Sequence, residues 1–174
     1  NEDGFLDVVV TGEWMPIRVF ENNKGKYFTE KTKEYGLEET NGWWYSLAIH
    51  DFDKDGDKDI IAGNLGLNYK YKSSNDSPFE VYASDFDASG SNDIVLSYYD
   101  DEKLVPVRGR ECSSRQMPFL KEKFPTYDAF GKASVKDIFD DNQLKKSVHL
   151  KANTFETTLF KNEGGNFVSK KLET

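Results

Sequence analysis

Cysteine is almost missing from this 174-residue chain, which has one, Cys112. A single thiol can form neither an internal disulfide framework nor a multi-cysteine zinc cage. Histidine is nearly as scarce: His50 and His149 are the only two, which leaves little for imidazole-based catalysis. No run of about 18 apolar residues occurs, so the sequence offers no membrane-spanning helix. Cations are outnumbered, with 23 Lys and Arg against 31 Asp and Glu. The net charge of −8 sets the chain against nucleic acid, whose phosphates need a basic face. No Ser-centred elbow, phosphate loop or dinucleotide fingerprint is found. What remains, 37% hydrophobic and 31% charged residues, fits a soluble globular chain long enough for one domain with a core.

Internal repetition is the strongest positive signal. Asp51-Phe52-Asp53-Lys54-Asp55-Gly56-Asp57-Lys58-Asp59 runs into the apolar Ile60-Ile61-Ala62-Gly63. Asp85-Phe86-Asp87-Ala88-Ser89-Gly90-Ser91-Asn92-Asp93 runs into Ile94-Val95-Leu96 in the same register. Asn1-Glu2-Asp3-Gly4-Phe5-Leu6-Asp7 precedes Val8-Val9-Val10 and matches the last seven positions of that nine-residue pattern. The chain thus opens inside a motif, without an initiator Met or a signal peptide, and is expected to be a piece of something longer. A second element recurs as well: Val19-Phe20-Glu21-Asn22-Asn23-Lys24-Gly25-Lys26-Tyr27-Phe28 lines up with Leu159-Phe160-Lys161-Asn162-Glu163-Gly164-Gly165-Asn166-Phe167-Val168. Two apolar positions, an Asn, a Gly-containing turn and an aromatic predict a β-hairpin.

In the 51–59 loop carboxylates stand at positions one, three, five and nine (Asp51, Asp53, Asp55, Asp59), with Gly56 at six. Calcium takes about six to eight oxygens, which a tight loop can supply from alternating side chains plus one carbonyl. The glycine permits the sharp turn that brings the carbonyl of Asp57, at position seven, inward. Five aspartates in nine residues would repel one another without a cation, so a plain solvated turn is a poor account. An EF-hand is excluded: its twelfth position carries a bidentate Glu between helices, whereas Ala62 stands there in a strand-like run. Ser46-Leu47-Ala48-Ile49-His50 alternates ahead of the loop, so the loop is expected to join two strands. Hard oxygen donors without His or Cys favour calcium over zinc or copper. The 85–93 loop has Ser89 at position five and one carboxylate fewer there, which predicts weaker binding or a recruited water.

These residues resemble the FG-GAP/VCBS repeat, the calcium-loop blade of integrin α-subunit-like β-propellers and of bacterial surface proteins. The resemblance covers residues 1–100 and returns at about 148–174. It implies calcium ligands at Asp51, Asp53, Asp55, Asp57 (carbonyl) and Asp59, and at Asp85, Asp87, Ser89, Ser91 (carbonyl) and Asp93. In the first loop the matching positions are Asn1, Asp3, Phe5 (carbonyl) and Asp7. The Gly-Ala-Pro of the family name is absent; the strands end in Thr11-Gly12-Glu13 and Ala62-Gly63-Asn64.

The expected fold is all-β, a partial β-propeller of three to four blade units of antiparallel strands with a short helical insertion. Residues 1–108 are assigned to blades, 109–147 to the insertion and 148–174 to a further blade hairpin. Within the insertion two short helices are expected, one ending at Pro125 and one opening with the capping box Ser134-Val135-Lys136-Asp137. Residues 64–79 form a loop with two exposed tyrosines, Tyr69 and Tyr71. Trp43 and Trp44, neighbours on a strand, should face opposite ways. Arg108, Arg110 and Arg115 suit a solvated loop better than an anion clamp, and Cys112 has no matched histidine to make it a nucleophile.

The resemblance implies a non-catalytic, calcium-stabilised recognition or adhesion module, extracellular or at a bacterial cell surface, outer-membrane-associated and periplasmic placements included. Its expected partners are a protein or glycan ligand and the remaining blades of a parent chain. The alternatives are a carbohydrate-active propeller enzyme or glycan-binding protein, and a structural spacer that binds only calcium.

Overall fold

The computed structural model describes residues 3–172. Nine strands come first: β1 (Val8–Val10), β2 (Glu13–Met15), β3 (Arg18–Asn22), β4 (Phe28–Glu30), β5 (Gly42–His50), β6 (Asp59–Asn64), β7 (Phe79–Ser84), β8 (Asp93–Asp100) and β9 (Lys103–Pro106). Helices α1 (Arg110–Gln116), α2 (Leu120–Lys123), α3 (Tyr127–Gly131), α4 (Val135–Ile138) and α5 (Asp141–Lys146) follow. Strands β10 (Val148–Ala152), β11 (Thr158–Asn162) and β12 (Phe167–Lys171) close the chain. The fold is all-β, built from antiparallel sheets with a short helical stretch, the class of a partial β-propeller. Contacts divide it into two compact units: Asn1–Lys72 with Ala152–Thr174, and Ser73–Lys151.

The first unit holds a sheet in the order β1-β3-β4 and a second in the order β12-β11-β6-β5-β2. Both predicted hairpins form, β3 with β4 and β11 with β12, with Asn22 paired to Phe28 and Asn162 to Phe167. Each turn is closed by its asparagine: the Gly25 N–H donates to Asn22 Oδ1 at 2.8 Å and the Gly165 N–H to Asn162 Oδ1 at 2.7 Å. Lys24 and Gly25 lie at φ 54° and 72°, Gly164 and Gly165 at 67° and 92°. Two successive left-handed residues are what a tight hairpin needs to match strand twist.

Alternation on β5 separates the paired tryptophans as expected. Trp44 is in the core with Ile17, Val19, Leu37, Ile60, Ala62 and Phe160. Its neighbour Trp43 is half-buried in a chain of ring contacts with Trp14 at 4.9 Å and Phe155 at 6.3 Å. Tyr69 continues that chain, 6.0 Å from Phe155 and 5.7 Å from Tyr71. Removing a large buried aromatic such as Trp44 costs about 3–5 kcal/mol, in lost burial plus the cavity left behind.

The second unit is one sheet, β10-β7-β8-β9, with the helices packed on it. Tyr82, Phe86 and Val95 from the strands meet Met117, Leu120, Phe130, Val135, Ile138 and Phe139 from the helical stretch. Five short helices stand where the sequence suggested two. Pro118 separates α1 from α2 and Pro125 separates α2 from α3, each removing a backbone donor that a continuous helix would use. The expected capping box at Ser134 and Asp137 is present, and a second at Asp140 and Gln143 starts α5.

The arginines act as staples rather than a clamp. Arg110 donates from Nε to the Phe124 carbonyl at 2.6 Å and lies 5.3 Å from the centre of the Tyr127 ring. Arg108 reaches Gln116 at 3.4 Å, and Arg115 pairs with Glu111 at 3.7 Å. Cys112 is a free, exposed thiol. Among the described residues no helix is long and apolar enough to cross a membrane.

Candidate metal centres

The 51–59 loop joins β5 to β6, strand to strand, with Asp59 as the first residue of β6. Its backbone folds inward onto its own carboxylates. The Asp55 N–H donates to Asp51 Oδ1 and Asp53 Oδ1, both at 3.2 Å, and the Gly56 N–H to Asp51 Oδ2 at 3.1 Å. The Asp57 N–H donates to Asp55 Oδ1 at 3.0 Å, and the Phe52 N–H to Asp59 Oδ2 at 3.0 Å. Lys54 and Gly56 lie at φ 65° and 105°, so the chain turns left-handed at positions four and six. Asp51, Asp53 and Asp59 each present an oxygen within 4.8 Å of the others.

The 85–93 loop joins β7 to β8 and repeats this plan bond for bond. The Ser89 N–H donates to Asp85 Oδ1 at 2.9 Å and Asp87 Oδ1 at 3.1 Å, and the Gly90 N–H to Asp85 Oδ2 at 2.8 Å. The Ser91 N–H donates to Ser89 Oγ at 3.4 Å, and the Phe86 N–H to Asp93 Oδ2 at 3.0 Å. Ala88 and Gly90 take φ 59° and 86°. Asp85, Asp87 and Asp93 converge within the same 4.8 Å.

Of the first loop, Asn1 lies outside the described residues. Gly4 has φ 84° and the Phe5 N–H donates to Asp3 Oδ1 at 2.9 Å, the contact that positions seven and five make in the other two loops. Asp3 and Asp7 are its only carboxylates in the described residues, too few for a three-carboxylate cluster.

Two residues that the sequence did not single out, Gln116 and Lys161, bear on these loops, and the hairpin asparagines take a second role in them. The buried Asp59 also accepts the Asn162 N–H at 2.9 Å, and Asp7 accepts the Asn22 N–H at 2.8 Å. The hairpin asparagine therefore closes its own turn with its side chain and anchors a loop's ninth position with its backbone. In the 85–93 loop no hairpin N–H takes that place among the described hydrogen bonds, and the side chain of Gln116, from α1, lies near enough to favour the charged form of Asp93. Burial pushes the Asp93 carboxyl above its ordinary value. Lys161 Nζ lies 2.6 Å from Asp53 and 3.5 Å from Asp55. Its hydrogen bond holds the Asp53 carboxyl below the usual value, while the Gly90 N–H does the same for Asp85. The aligned hairpin position carries Glu21, which accepts a bond from Tyr35 at 2.7 Å. That mismatch was the one clue to Lys161 in the sequence.

Both clusters could hold a metal ion. Their donors are hard oxygens only, and a carboxylate oxygen that takes one N–H keeps a second lone pair for a cation. Backbone bonds fix the orientation of positions one, three and nine in advance. Asp55 is turned toward Lys161 and lies outside the three-oxygen cluster.

Residues 1–62 match the family model described as FG-GAP-like repeat. The matched stretch takes in the first loop, the first hairpin and the whole 51–59 loop. No curated protein and no solved structure matched the chain. The 85–93 loop lies beyond the matched stretch yet keeps its geometry.

Proposed function

We propose that this chain is a calcium-binding stretch of propeller blades that serves as a non-catalytic recognition or adhesion module. The observation that carries the reading is the same set of inward backbone bonds around three convergent aspartates, built twice in separate units. Calcium would join strand to strand at each loop, with ligands at Asp51, Asp53, Asp55, Asp57 (carbonyl) and Asp59, and at Asp85, Asp87, Ser89, Ser91 (carbonyl) and Asp93. Asp3, Phe5 (carbonyl) and Asp7, with Asn1, would contribute the same positions to the first loop. Its role is structural: each ion cancels the mutual repulsion of carboxylates held close together. A module of this kind suits an extracellular or bacterial cell-surface setting, where calcium is abundant, with further blades of a parent chain and a protein or glycan ligand as partners.

Thermal melting in calcium and in chelator tests the reading, with Asp53→Ala as control. Calcium at about 100 times its dissociation constant should add roughly 2.7 kcal/mol per site that binds only the folded state. The shift should shrink in Asp53→Ala and be small with magnesium, which accepts flexible loops poorly. Identical melting with calcium and with chelator would refute it.

A further inference from the structure

The first unit carries a run of aromatic rings that the acidic loops do not use. Trp14 of β2 lies 4.9 Å from Trp43 of β5, and Trp43 lies 6.3 Å from Phe155. Phe155 is in turn 6.0 Å from Tyr69, which lies 5.7 Å from Tyr71. Phe155 is buried and forms the hub, and Trp14, Trp43 and Tyr71 are half-buried. Tyr69 is 38% exposed, and Tyr45 of β5 is 59% exposed. The Tyr45 hydroxyl is raised above its ordinary value by desolvation and by its neighbours Glu13 and Tyr69, which puts it at the same cluster.

Two irregularities of the sheet aim these rings. Glu13 pairs with Trp43 and Met15 with Gly42, so Trp14 is an extra residue inserted in β2. Trp44 pairs with Asn64 and Ser46 with Gly63, so Tyr45 is an extra residue inserted in β5. Both bulges fall on an aromatic, and a bulge re-aims the side chain it carries. Trp14 also takes φ 62°, a conformation that bulky residues rarely adopt. The other non-glycine residues at positive φ, Lys24, Lys54, Ala88 and Asp101, lie in turns or loops. Core packing asks for neither device, since a regular strand already turns alternate residues inward. The loop that bears Tyr69 and Tyr71 is held in place. The Gly66 N–H donates to the Phe155 carbonyl at 2.7 Å, Asn64 Nδ2 to the Thr154 carbonyl at 3.0 Å and Lys72 Nζ to the Leu67 carbonyl at 2.7 Å. Rings ordered in advance lose little freedom on binding.

The surroundings indicate what such a surface takes. In a chain with 31% charged residues, Thr40 to Ile49 and Asn64 to Tyr69 contain none. The adjoining charges are mixed in sign, Glu13 and Glu156 against Lys70 and Lys72, and Lys70 lies over the Tyr71 ring at 5.2 Å. No field of one sign is there to draw an ion. A protein partner needs about 20–30 residues a side, far more than these few rings. Aromatic faces with polar tips match the apolar face and hydroxyl edge of a sugar. Neighbouring rings are tilted, by 40° for Trp14 and Trp43 and by 68° for Tyr69 and Tyr71, so a flat ribbon cannot lie on two at once. We propose that this surface binds a neutral glycan whose chain curves, as an α-linked glucan does, with Trp14, Trp43, Tyr45 and Tyr69 offering the stacking faces. The inference rests on the recognition reading above, whose ligand it narrows, and is independent of calcium.

The test is tryptophan fluorescence of the full chain, saturated with calcium and titrated with maltohexaose, a curved α-linked glucan, and cellohexaose, a flat β-linked one. Maltohexaose should change the emission saturably, bind the tighter of the two, and keep its affinity as salt is added. Tyr45→Ala and Tyr69→Ala, exposed changes that spare the core, should each weaken it about three- to tenfold, the scale of one stacked ring. Tyr127→Ala, at an exposed tyrosine of α3, should leave it unchanged. Affinity unchanged in the Tyr45→Ala Tyr69→Ala double variant, or falling with salt, would overturn the proposal. No binding of either glucan would overturn it in favour of a protein contact, and cellohexaose bound as tightly as maltohexaose would overturn the curved-chain assignment. The calcium-dependent melting shift, followed in parallel, keeps the two readings apart: glucan binding absent with the shift present condemns this inference alone.

Discussion

The two complete loops follow one plan but are anchored by different neighbours. In the first unit the ninth aspartate is tied to a backbone N–H of a hairpin, and a lysine from that hairpin sits on the third and fifth positions. In the second unit the ninth aspartate takes only the loop's own Phe86 N–H among the described hydrogen bonds, no lysine approaches the loop among the described ion pairs, and the fifth position is a serine. The nine-residue loop is therefore a self-contained device. Its inward bonds come from its own backbone, so different scaffolds can carry it, and the neighbours set how firmly it is anchored and how much charge it keeps.

The strongest way to break the parallel is to remove the ninth carboxylate. Asp59→Ala leaves the Phe52 and Asn162 N–H groups without their acceptor and should cost about 2–5 kcal/mol. Asp93→Ala leaves the Phe86 N–H alone without its acceptor and should cost about 1–3 kcal/mol. Urea unfolding in chelator checks both, and equal losses would mean that the anchors are equivalent.

Ser89→Asp makes the second loop's carboxylates match the first. It should tighten calcium there roughly tenfold, since affinity follows ligand charge, as read by calorimetry in a background of Asp53→Ala. Lys161→Met sharpens the comparison from the other side. The lysine competes with calcium for Asp53, so its removal should raise affinity about two- to fivefold, the scale of an exposed ion pair. Unchanged affinity would mean the ammonium swings away without cost.

The mildest difference concerns acid. The folded Glu80 pKa lies below the 4.5 of a free glutamate, held there against burial by His149, Tyr82 and Lys151, so its stabilising contribution is complete above that value. It drains away as pH falls through the lower folded value. Amide exchange between about pH 5 and 3 should therefore show the second unit loosening around β7 and β10. Glu80→Gln should abolish that pH dependence.

Much of this was legible because it is local. The spacing of carboxylates, the glycine at six and the hairpin asparagines all act within a few residues of themselves, and the sequence displayed them in register. What escaped reading is what acts at a distance. Asn162 reaches Asp59 across 103 residues of sequence. Lys161 sits where the other hairpin has Glu21, and Gln116 looks like any polar residue on a short helix. The helix count was missed for a local reason: Pro118 falls in an apolar run whose pattern reads straight through it.

The order in which the chain leaves the ribosome has a particular bearing on the first unit. The second unit is continuous, Ser73–Lys151, whereas the first is split around it. Strand β6 gains its neighbour β11, and Asp59 its Asn162 anchor, only once the last strands are made. During synthesis the middle of the sequence can close into a folded body while the earlier 51–59 loop still waits for its partner, so the part translated first is completed last.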